Sequence, residues 1–312
     1  MKTAVIIPCF NEGISIARVV TEFKKELPQA QIYVFDNNST DGTGQKAREA
    51  GAIVIKEWRQ GKGYVVQSMF RSIKADIYVM IDGDGTYPSK DVHSLIEPIS
   101  SGVADMVVGS RLHTKATSQF KKVNLFGNQV FRLVLNTIWD GHLSDILSGY
   151  RVFNKRFVET VALTGQGFEI ETELTIKALE AGMRIVETPV NLIERQANSY
   201  SKIRPVSDGI RILSTILALL RDYKPLTLFG TLAIILFISG LIPGGIVMEE
   251  FFNTGKIHRI PSAILAVGCV ISSVLMLAIG VILHSITRRF NELHYQLGRI
   301  QATCDKGTDP LV

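Results

Sequence analysis

The sequence predicts an α/β protein: a mainly parallel, Rossmann-like sheet domain over residues 1–203, followed by two transmembrane helices within residues 226–286. Two observations lead to this prediction. In the first part, short apolar runs alternate with helical patterns, which is typical of a parallel sheet covered on both faces. Residues 226–248 and 260–283 then contain no charged residue, and each run exceeds the ~20 residues that a helix needs to cross a bilayer.

The sheet domain is expected to contain five strands with helices between them. The predicted strands cover residues 3–8, 32–35, 52–56, 77–81 and 105–109, and the predicted helices cover residues 15–27, 44–50 and 64–73. Polar clusters follow three of these strands, namely Asn11-Glu12, Asp36-Asn37-Asn38-Ser39 and Asp82-Gly83-Asp84. Ligands of open α/β sheets bind beyond the carboxyl ends of the strands, so we expect a ligand site at these clusters.

Two common nucleotide-binding motifs are missing from the strand ends. A dinucleotide-binding domain carries Gly-x-Gly-x-x-Gly after its first strand, whereas this chain has Pro8-Cys9-Phe10-Asn11-Glu12. A P-loop needs Gly-x-x-x-x-Gly-Lys-Ser/Thr, whereas Gly61-Lys62 is followed by Gly63. The three scattered cysteines fit no disulfide framework or zinc site, as expected for a domain in the reducing cytosol.

The net charge of +5 is concentrated beside the apolar stretches. Basic residues cluster at positions 121–122, 202–221 and 288–289, which favours contact with anionic lipids over nucleic acid. The connection at residues 249–259 carries two acidic and two basic residues, whereas both outer flanks are basic. The positive-inside rule therefore places the sheet domain and both termini in the cytosol, at the inner or cytoplasmic membrane. The start of the chain leads directly into a strand-like run, so we expect no signal peptide.

Three further segments have amphipathic helical patterns. Residues 120–139 are predicted to lie in the headgroup plane or to pack on the sheet domain, and residues 204–225 form a juxtamembrane interface helix. The third helix lies in the cytosolic segment 287–312. A short heptad seam runs into it, which either joins the protomers of a homo-oligomer or packs on the sheet domain. The seam consists of Leu283, Ile286, Phe290, Leu293, Leu297 and Ile300.

Asp82 and Asp84 are the candidate metal ligands. They flank Gly83 directly after a buried strand, and two close carboxylates repel each other unless a cation joins them. Hard oxygen ligands suit Mg²⁺ or Mn²⁺, which keep coordination positions for phosphate oxygens. A solvated turn is the alternative reading of an isolated Asp-x-Asp. The position at a strand end, with Gly85 and Pro88 shaping the loop, favours a metal site.

The order and spacing of the motifs resemble the GT-A-fold family 2 glycosyltransferases. Within them, the chain is similar to the dolichyl- and polyprenyl-phosphate sugar synthases, including the bactoprenol glucosyltransferase group. The resemblance covers residues 3–215 and extends to the paired spans. Its carriers are Pro8-Cys9-Phe10-Asn11-Glu12, Asp36-Asn37-Asn38-Ser39-Thr40-Asp41-Gly42-Thr43, Gly61-Lys62-Gly63, Asp82-Gly83-Asp84-Gly85-Thr86-Tyr87-Pro88, Gly109-Ser110-Arg111, Asp145, Ser148-Gly149-Tyr150-Arg151, Phe168-Glu169-Ile170-Glu171-Thr172-Glu173-Leu174, and Arg195 with Ser199, Ser201 and Lys202.

The resemblance implies a nucleotide-sugar donor at the strand ends, with Mg²⁺ or Mn²⁺ held by Asp82 and Asp84 against its diphosphate. Many relatives carry Gln where this chain has Thr86, so the third ligand is open, with water as the alternative. The Asp-Asp pair that often ends the second strand is Asp36-Asn37 here, which implies one negative charge fewer near the diphosphate. Asp36 is expected to accept a hydrogen bond from the base. The implied nucleotide-binding residues are Pro8, Phe10, Asn11, Glu12, Asp36, Asn38, Ser39, Lys62, Gly63, Asp82 and Gly83.

The implied acceptor is a polyprenyl monophosphate. Its oxygen is largely ionised at pH 7 because the second pKa of such groups is near ~6, so an inverting in-line displacement needs no dedicated general base. The expected catalytic residues are Asp82, Asp84, Arg111 and Glu173. The acceptor phosphate is assigned to Arg111, Arg195, Ser199, Ser201 and Lys202, and positioning of the sugar or acceptor to Asp145, Gly149, Arg151 and Glu171.

Several alternatives stay open at this point. Glu169, Glu171 and Glu173 alternate, so they lie on one face of a strand or open the following helix. Their role is either structural or directed to a sugar hydroxyl or the acceptor, with Glu173 as the first functional candidate. UDP-glucose is the first choice of donor, with GDP-mannose and other UDP-sugars as alternatives. A processive polysaccharide synthase is disfavoured because Gln-x-x-Arg-Trp and further spans are missing. A membrane scaffold that keeps the fold without catalysis is the remaining rival.

Overall fold

The computed structural model describes residues 1–111, 122–139, 141, 143–193 and 205–307. The chain divides into two compact units, Met1–Ile216 and Leu217–Val312. The first unit contains the predicted sheet domain, and the second contains the two predicted spans.

The first unit is built on a seven-stranded sheet with the strand order β3-β2-β1-β4-β6-β5-β7. The strands are β1 (Thr3–Cys9), β2 (Gln31–Asp36), β3 (Ile53–Lys56), β4 (Ile77–Met80), β5 (Met106–Ser110), β6 (Arg151–Asn154) and β7 (Ile185–Pro189). All neighbouring strands pair in parallel except β6, which runs antiparallel to both β4 and β5. The predicted, mainly parallel α/β sheet is therefore confirmed.

Helices cover both faces of this sheet. They are α1 (Ile16–Glu26), α2 (Thr43–Glu49), α3 (Lys62–Ser72), α4 (Val92–Ser100), α6 (Lys155–Thr160) and α7 (Ile170–Glu180). Two further helices, α5 (Lys122–Trp139) and α8 (Pro205–Tyr223), follow β5 and β7 in the chain. Alternate residues of β1 face opposite cores: Val5 and Ile7 belong to one buried cluster, and Ala4 and Ile6 to the other. This alternation follows from the two-residue repeat of a strand and explains why β1 is apolar throughout.

The register of the strands brings the polar clusters together. Cys9 at the end of β1 pairs with Asp36 at the end of β2, and Met80 of β4 pairs with Ile6. The chain therefore leaves β1, β2 and β4 at the same edge of the sheet. Each of the five predicted strands and three predicted helices occurs within two residues of its expected position. The sequence analysis missed β6 and β7, which are only four and five residues long and contain or adjoin charged residues.

The helix predicted over residues 120–139 is present as α5, but its described C-terminal half packs on the sheet domain. Phe131, Leu135 and Trp139 are buried, and the Trp139 indole N–H donates to the Glu180 carboxylate at 2.6 Å. Leu133 on the opposite face is exposed. For these three side chains the structure therefore shows packing on the sheet domain, which is the second of the two alternatives given for this helix.

The second unit contains two long helices, α9 (Pro225–Thr254) and α10 (Ile260–Gly307). Segments Pro225–Thr254 and Ile260–Phe290 are long and apolar enough to cross a membrane. The two helices approach closely at Gly240, where an added β-carbon would lie 3.0 Å from Cβ of Cys269. Because α9 continues to Thr254, the connection is shorter than the predicted 249–259 and begins at Gly255, whose φ of +69° ends the helix.

Candidate active site

The loops after β1 and β2 are joined by backbone-to-side-chain hydrogen bonds. The Asn11 N–H donates to the Ser39 hydroxyl at 2.9 Å, and the Glu12 N–H donates to the Thr43 hydroxyl at 2.8 Å. Asp36 accepts from the Ser39 N–H at 2.9 Å. The structure therefore brings together the expected nucleotide-binding residues of these two loops. Pro8 lies beside Phe35 in the β1–β2 pairing, and Phe10 is 37% exposed at the start of the β1 loop.

Asn37 connects the end of β2 to the loop that follows β3. Its amide NH₂ donates to the carbonyls of Glu57 and Arg59 at 2.9 and 2.8 Å. Its carbonyl accepts from the Gly61 N–H at 2.8 Å. The side chain is buried, and these three hydrogen bonds tie it to the loop that follows β3. Asn38 has a φ of +64° and also donates to this loop, at the Trp58 carbonyl.

Asp82 and Asp84 follow β4 at the same edge of the sheet. One oxygen of Asp84, a buried residue, accepts from the N–H of Thr86 at 3.1 Å and from its hydroxyl at 2.7 Å. Thr86 therefore orients Asp84. The turn is held to the β1 loop because the Ser15 hydroxyl donates to the Gly83 carbonyl at 2.7 Å. Gly83 is needed here because an added β-carbon would lie only 2.5 Å from the Cys9 sulfur.

Lys62 lies between two carboxylates from different elements. Its ammonium is 2.6 Å from Oδ1 of Asp82 and also bonds the Glu171 carboxylate in the first turn of α7. Burial alone would lower the pKa of Lys62, but the charges of Asp82 and Glu171 outweigh it and raise the pKa above its ordinary value. Lys62 is therefore a permanent cation beside the candidate metal ligands. Gly63, in the same turn, donates its N–H to the Gln166 carbonyl at 3.1 Å.

Gly149 packs its backbone against the Asp82 carboxylate. An added β-carbon would clash with both carboxylate oxygens and with the carbon between them. The Gly149 N–H donates to the Tyr87 hydroxyl at 3.1 Å, and Tyr87 is buried. This position of Gly149 keeps the polypeptide close to Asp82 without covering it, since the Asp82 side chain remains 29% exposed.

Arg111 and Asp145 form a bidentate ion pair. The Arg111 Nε and Nη2 donate to the two Asp145 oxygens at 2.7 and 2.8 Å. Burial of Asp145 opposes ionisation, but Arg111 outweighs it and lowers the pKa of the carboxyl. Glu187 holds the loop in place by accepting from the N–H groups of Ser144 and Asp145. Asp145 therefore positions Arg111, and sequence reasoning had no signal for Glu187 because it lies 42 residues further along the chain.

Two expected site residues make structural bonds. Arg151 is fully buried and donates to the carbonyls of Ser148 and Ile146 and to the Thr175 hydroxyl. Burial lowers the pKa of Arg151 to about 10. The Glu173 carboxylate accepts from the N–H groups of Thr164 and Gly165 and pairs with Lys177 at 2.7 Å. Glu171 and Glu173 lie in the first turn of α7, so the helix alternative for these acids is confirmed. Arg195, Ser199, Ser201 and Lys202 lie outside the described residues.

The donor set at Asp82 and Asp84 fits a hard divalent cation only in part. Among the described residues, no group of three or more His, Cys, Asp and Glu side chains is arranged to hold a metal. Two carboxylates are nevertheless the number that Mg²⁺ often takes from a protein when phosphate oxygens and water complete its octahedron. The partial exposure of Asp82 leaves room for such ligands.

Comparisons with known proteins agree with this architecture. Residues 4–162 match glycosyl transferase family 2. The chain is 29% identical over 279 residues to glycosyltransferase AglJ of Haloferax volcanii, covering 89% of this chain and 91% of the relative. It is 27% identical over 214 residues to the undecaprenyl-phosphate mannosyltransferase of Micrococcus luteus, covering 63% of this chain and 85% of the relative.

Among solved structures, the fold resembles glucosyl-3-phosphoglycerate synthase of Mycobacterium tuberculosis. Its complex with Mn²⁺ and UDP-glucose gives a TM-score of 0.55 at 20% identity, covering 70% of this chain and 78% of that chain. The fold and the strand-end site define a GT-A glycosyltransferase. The chain belongs to glycosyl transferase family 2, and its relatives include polyprenyl-phosphate sugar transferases.

Proposed function

We propose that the protein transfers a hexose from a nucleotide sugar to a polyprenyl monophosphate at the cytosolic face of the membrane. The observation that carries this proposal is the position of Asp82 and Asp84 after β4, beside the joined loops of β1 and β2. The names of the relatives support a polyprenyl-phosphate acceptor, and the two candidate spans in this chain support an acceptor held in a membrane.

The donor occupies the edge of the sheet in this proposal. The β1 and β2 loops contact the nucleoside, and the Asp36 carboxylate accepts a hydrogen bond from the base. Asp82 and Asp84 hold Mg²⁺ or Mn²⁺, which when bound neutralises negative charge on the nucleotide diphosphate. Lys62 adds a second positive charge near the same group. UDP-glucose is the first donor to test, since a structure with the same fold binds it.

The acceptor phosphate approaches from the opposite side of the sugar. One of its oxygens forms a bond to the anomeric carbon while the bond to the nucleotide diphosphate breaks, and the electron pair leaves with the diphosphate. The acceptor oxygen is already ionised, so the chain's residues position it rather than remove a proton. Arg111 is one such positioning group, preorganised by its bidentate pair with Asp145. Arg195, Ser199, Ser201 and Lys202 are proposed to assist.

The proposed topology places the sheet domain and both termini in the cytosol and the 255–259 connection outside. A cysteine introduced at Lys256, an exposed residue of this connection, in a chain without its native cysteines, tests this arrangement. It should react with an impermeant maleimide in intact cells, and protection of this position would reverse the topology. A homo-oligomer joined through Leu293 and Leu297 is proposed as well. Leu293→Asp with Leu297→Asp should then reduce the size of the particle in detergent.

The direct experiment incubates membranes containing the protein with polyprenyl phosphate and a panel of radiolabelled nucleotide sugars. UDP-glucose, GDP-mannose and UDP-N-acetylglucosamine are the first three donors. We expect label in the organic phase with one donor and none without polyprenyl phosphate. If none of the donors yields a lipid product, the result would contradict the proposed function and favour a membrane scaffold.

A further inference from the structure

A polar cleft of about 350 Å³ lies beside the candidate active site. Three parts of the first unit form its walls: the loop before α3, the loop before α7, and the part of α8 that belongs to this unit. The lining residues are Gln60, Gly61, Gln166, Gly167, Glu169, Arg211, Ser214 and Thr215. Every side chain among them carries a hydrogen-bonding group, so the cleft is suited to a polar ligand rather than to a polyprenyl chain.

The cleft shares its walls with the residues that hold Asp82. Gly61 directly precedes Lys62, and an added β-carbon on Gly61 would clash with the Gln166 carbonyl. The Gly63 N–H bonds the same carbonyl, and the Gln67 amide donates to the Gly165 carbonyl at 2.7 Å. The two loops are therefore fixed against each other, and the cleft is fixed relative to the reaction centre.

Glu169 has an unused acceptor in this wall. One of its oxygens accepts from the N–H groups of Gln166 and Gly167, both at 2.8 Å. The other oxygen is buried and has no hydrogen-bond partner among the described residues. Buried carboxylate oxygens without a partner are costly, which makes this atom a candidate ligand-binding group. Glu171 and Thr172, in the following turn, each carry one further buried atom without a partner in the described part of the chain.

Arg211 lies on the other side of Gly167. An added β-carbon on Gly167 would lie 2.7 Å from the unpartnered Glu169 oxygen and 3.4 Å from Nη1 of Arg211. The lack of a side chain at Gly167 therefore leaves a space between an acceptor and a donor. Arg211 is part of α8, the helix that leads towards the first candidate span, so this helix supplies one wall of the cleft.

From this arrangement we infer that the cleft binds hydroxyl groups of the hexose that is transferred, with Glu169 and Arg211 as specificity-determining residues. The inference rests on the proposed function. A carboxylate only accepts hydrogen bonds and a guanidinium only donates them, whereas a sugar hydroxyl does both. Neighbouring hydroxyls of a hexose therefore satisfy both groups at once. A phosphate dianion satisfies Arg211 but is repelled by Glu169.

The test compares binding of a nucleotide with binding of its sugar derivative to the full chain in nanodiscs, by calorimetry with Mg²⁺ present. The probes are UDP with UDP-glucose, and GDP with GDP-mannose. Glu169→Gln keeps the accepting oxygen for Gln166 and Gly167 but replaces the unpartnered one. We expect Glu169→Gln and Arg211→Ala each to weaken binding of the nucleotide sugar about tenfold while leaving the nucleotide unchanged. Arg211→Lys should restore part of the loss.

Arg48→Ala removes an exposed arginine on α2 that does not line the cleft, and it is the matched control with unchanged affinities. If the two variants weaken binding of the nucleotide and of the nucleotide sugar equally, or weaken neither, the inference is overturned and the proposed function is left intact. A rise in KM for polyprenyl phosphate with unaltered donor binding would also overturn the inference, since the cleft would then serve the acceptor. If the wild type binds neither nucleotide sugar, the proposed function fails together with the inference. Arg211 is exposed, so its variants test the inference even where Glu169→Gln does not fold.

Discussion

The ammonium of Lys62 lies 2.6 Å from Oδ1 of Asp82, and the same ammonium bonds Glu171. Lys62 begins α3, Asp82 follows β4 and Glu171 lies in α7, so one cation joins three elements around the candidate reaction centre. The Lys62 side chain is 11% exposed and that of Glu171 is 5% exposed. Such a charge group both orients Asp82 and makes the local fold sensitive to the loss of any one member.

Lys62→Met is expected to destabilise the first unit by about 3 kcal/mol, because it leaves two carboxylates close together without their cation. The double variant Lys62→Met with Glu171→Gln should recover part of this loss, since one of the two charges is removed. Thermal unfolding of the full chain in detergent measures both effects. Lys74→Met, at an exposed lysine just beyond α3, is the matched control. An unchanged Tm in Lys62→Met would show that the charge group does not stabilise the fold.

Gly149→Ala is expected to reduce sugar transfer by about tenfold or more while the protein remains folded. The added methyl group clashes with the Asp82 carboxylate, so Asp82 has to move away from its position beside Lys62. Transfer activity and circular dichroism are measured on the same preparation. Gly209→Ala has open space around the new methyl group and serves as the control. Full activity in Gly149→Ala would mean that the position of Asp82 is not critical.

Asn37→Asp is expected to destabilise the fold by about 2–4 kcal/mol. This is expected even though the resemblance to the family 2 glycosyltransferases implies that aspartate often stands at this position. The Asn37 amide donates to two carbonyls, and an aspartate would place a negative charge against the same two oxygens. The Tm of Asn37→Asp at neutral pH, compared with that of Asn37→Ser, provides the measurement. A variant as stable as the wild type would show that the loop after β3 rearranges without cost.

The pH dependence of stability is expected to include a contribution from Glu57. Hydrogen bonds from the Arg59 side chain lower the pKa of Glu57 from 4.5 to about 2. The folded state therefore binds this proton less readily than the unfolded state, and the stabilisation is present above pH 4.5 and is lost as the pH falls towards 2. The difference in Tm between wild type and Glu57→Gln should shrink by more than half between pH 6 and pH 3. A constant difference would contradict this assignment.

The strand ends could be predicted from the sequence because apolar runs and the polar residues after them are local signals. The parallel register then places Asp36 and Asp82 at one edge without further information. The partners of those residues are not local. Glu171 reaches Lys62 only because α7 packs near α3. Glu173 looks equivalent to Glu171 in the sequence, but its carboxylate accepts a hydrogen bond from Thr164 and pairs with Lys177 instead. The cleft at Glu169 similarly depends on where α8 lies, which no motif encodes.

The most direct test of the central claim is divalent-dependent transfer of labelled sugar to polyprenyl phosphate by wild type, Asp84→Ala and Asp76→Asn. Asp76 precedes β4 and Asp84 follows it, so Asp76→Asn controls for loss of a carboxylate near the same strand. We predict organic-phase label with wild type and Asp76→Asn, its loss with EDTA and its return with excess Mn²⁺. The rate of sugar transfer by Asp84→Ala should be at least about 100-fold below that of the wild type. Label that survives EDTA, or that persists in Asp84→Ala, would contradict a metal site at Asp82 and Asp84.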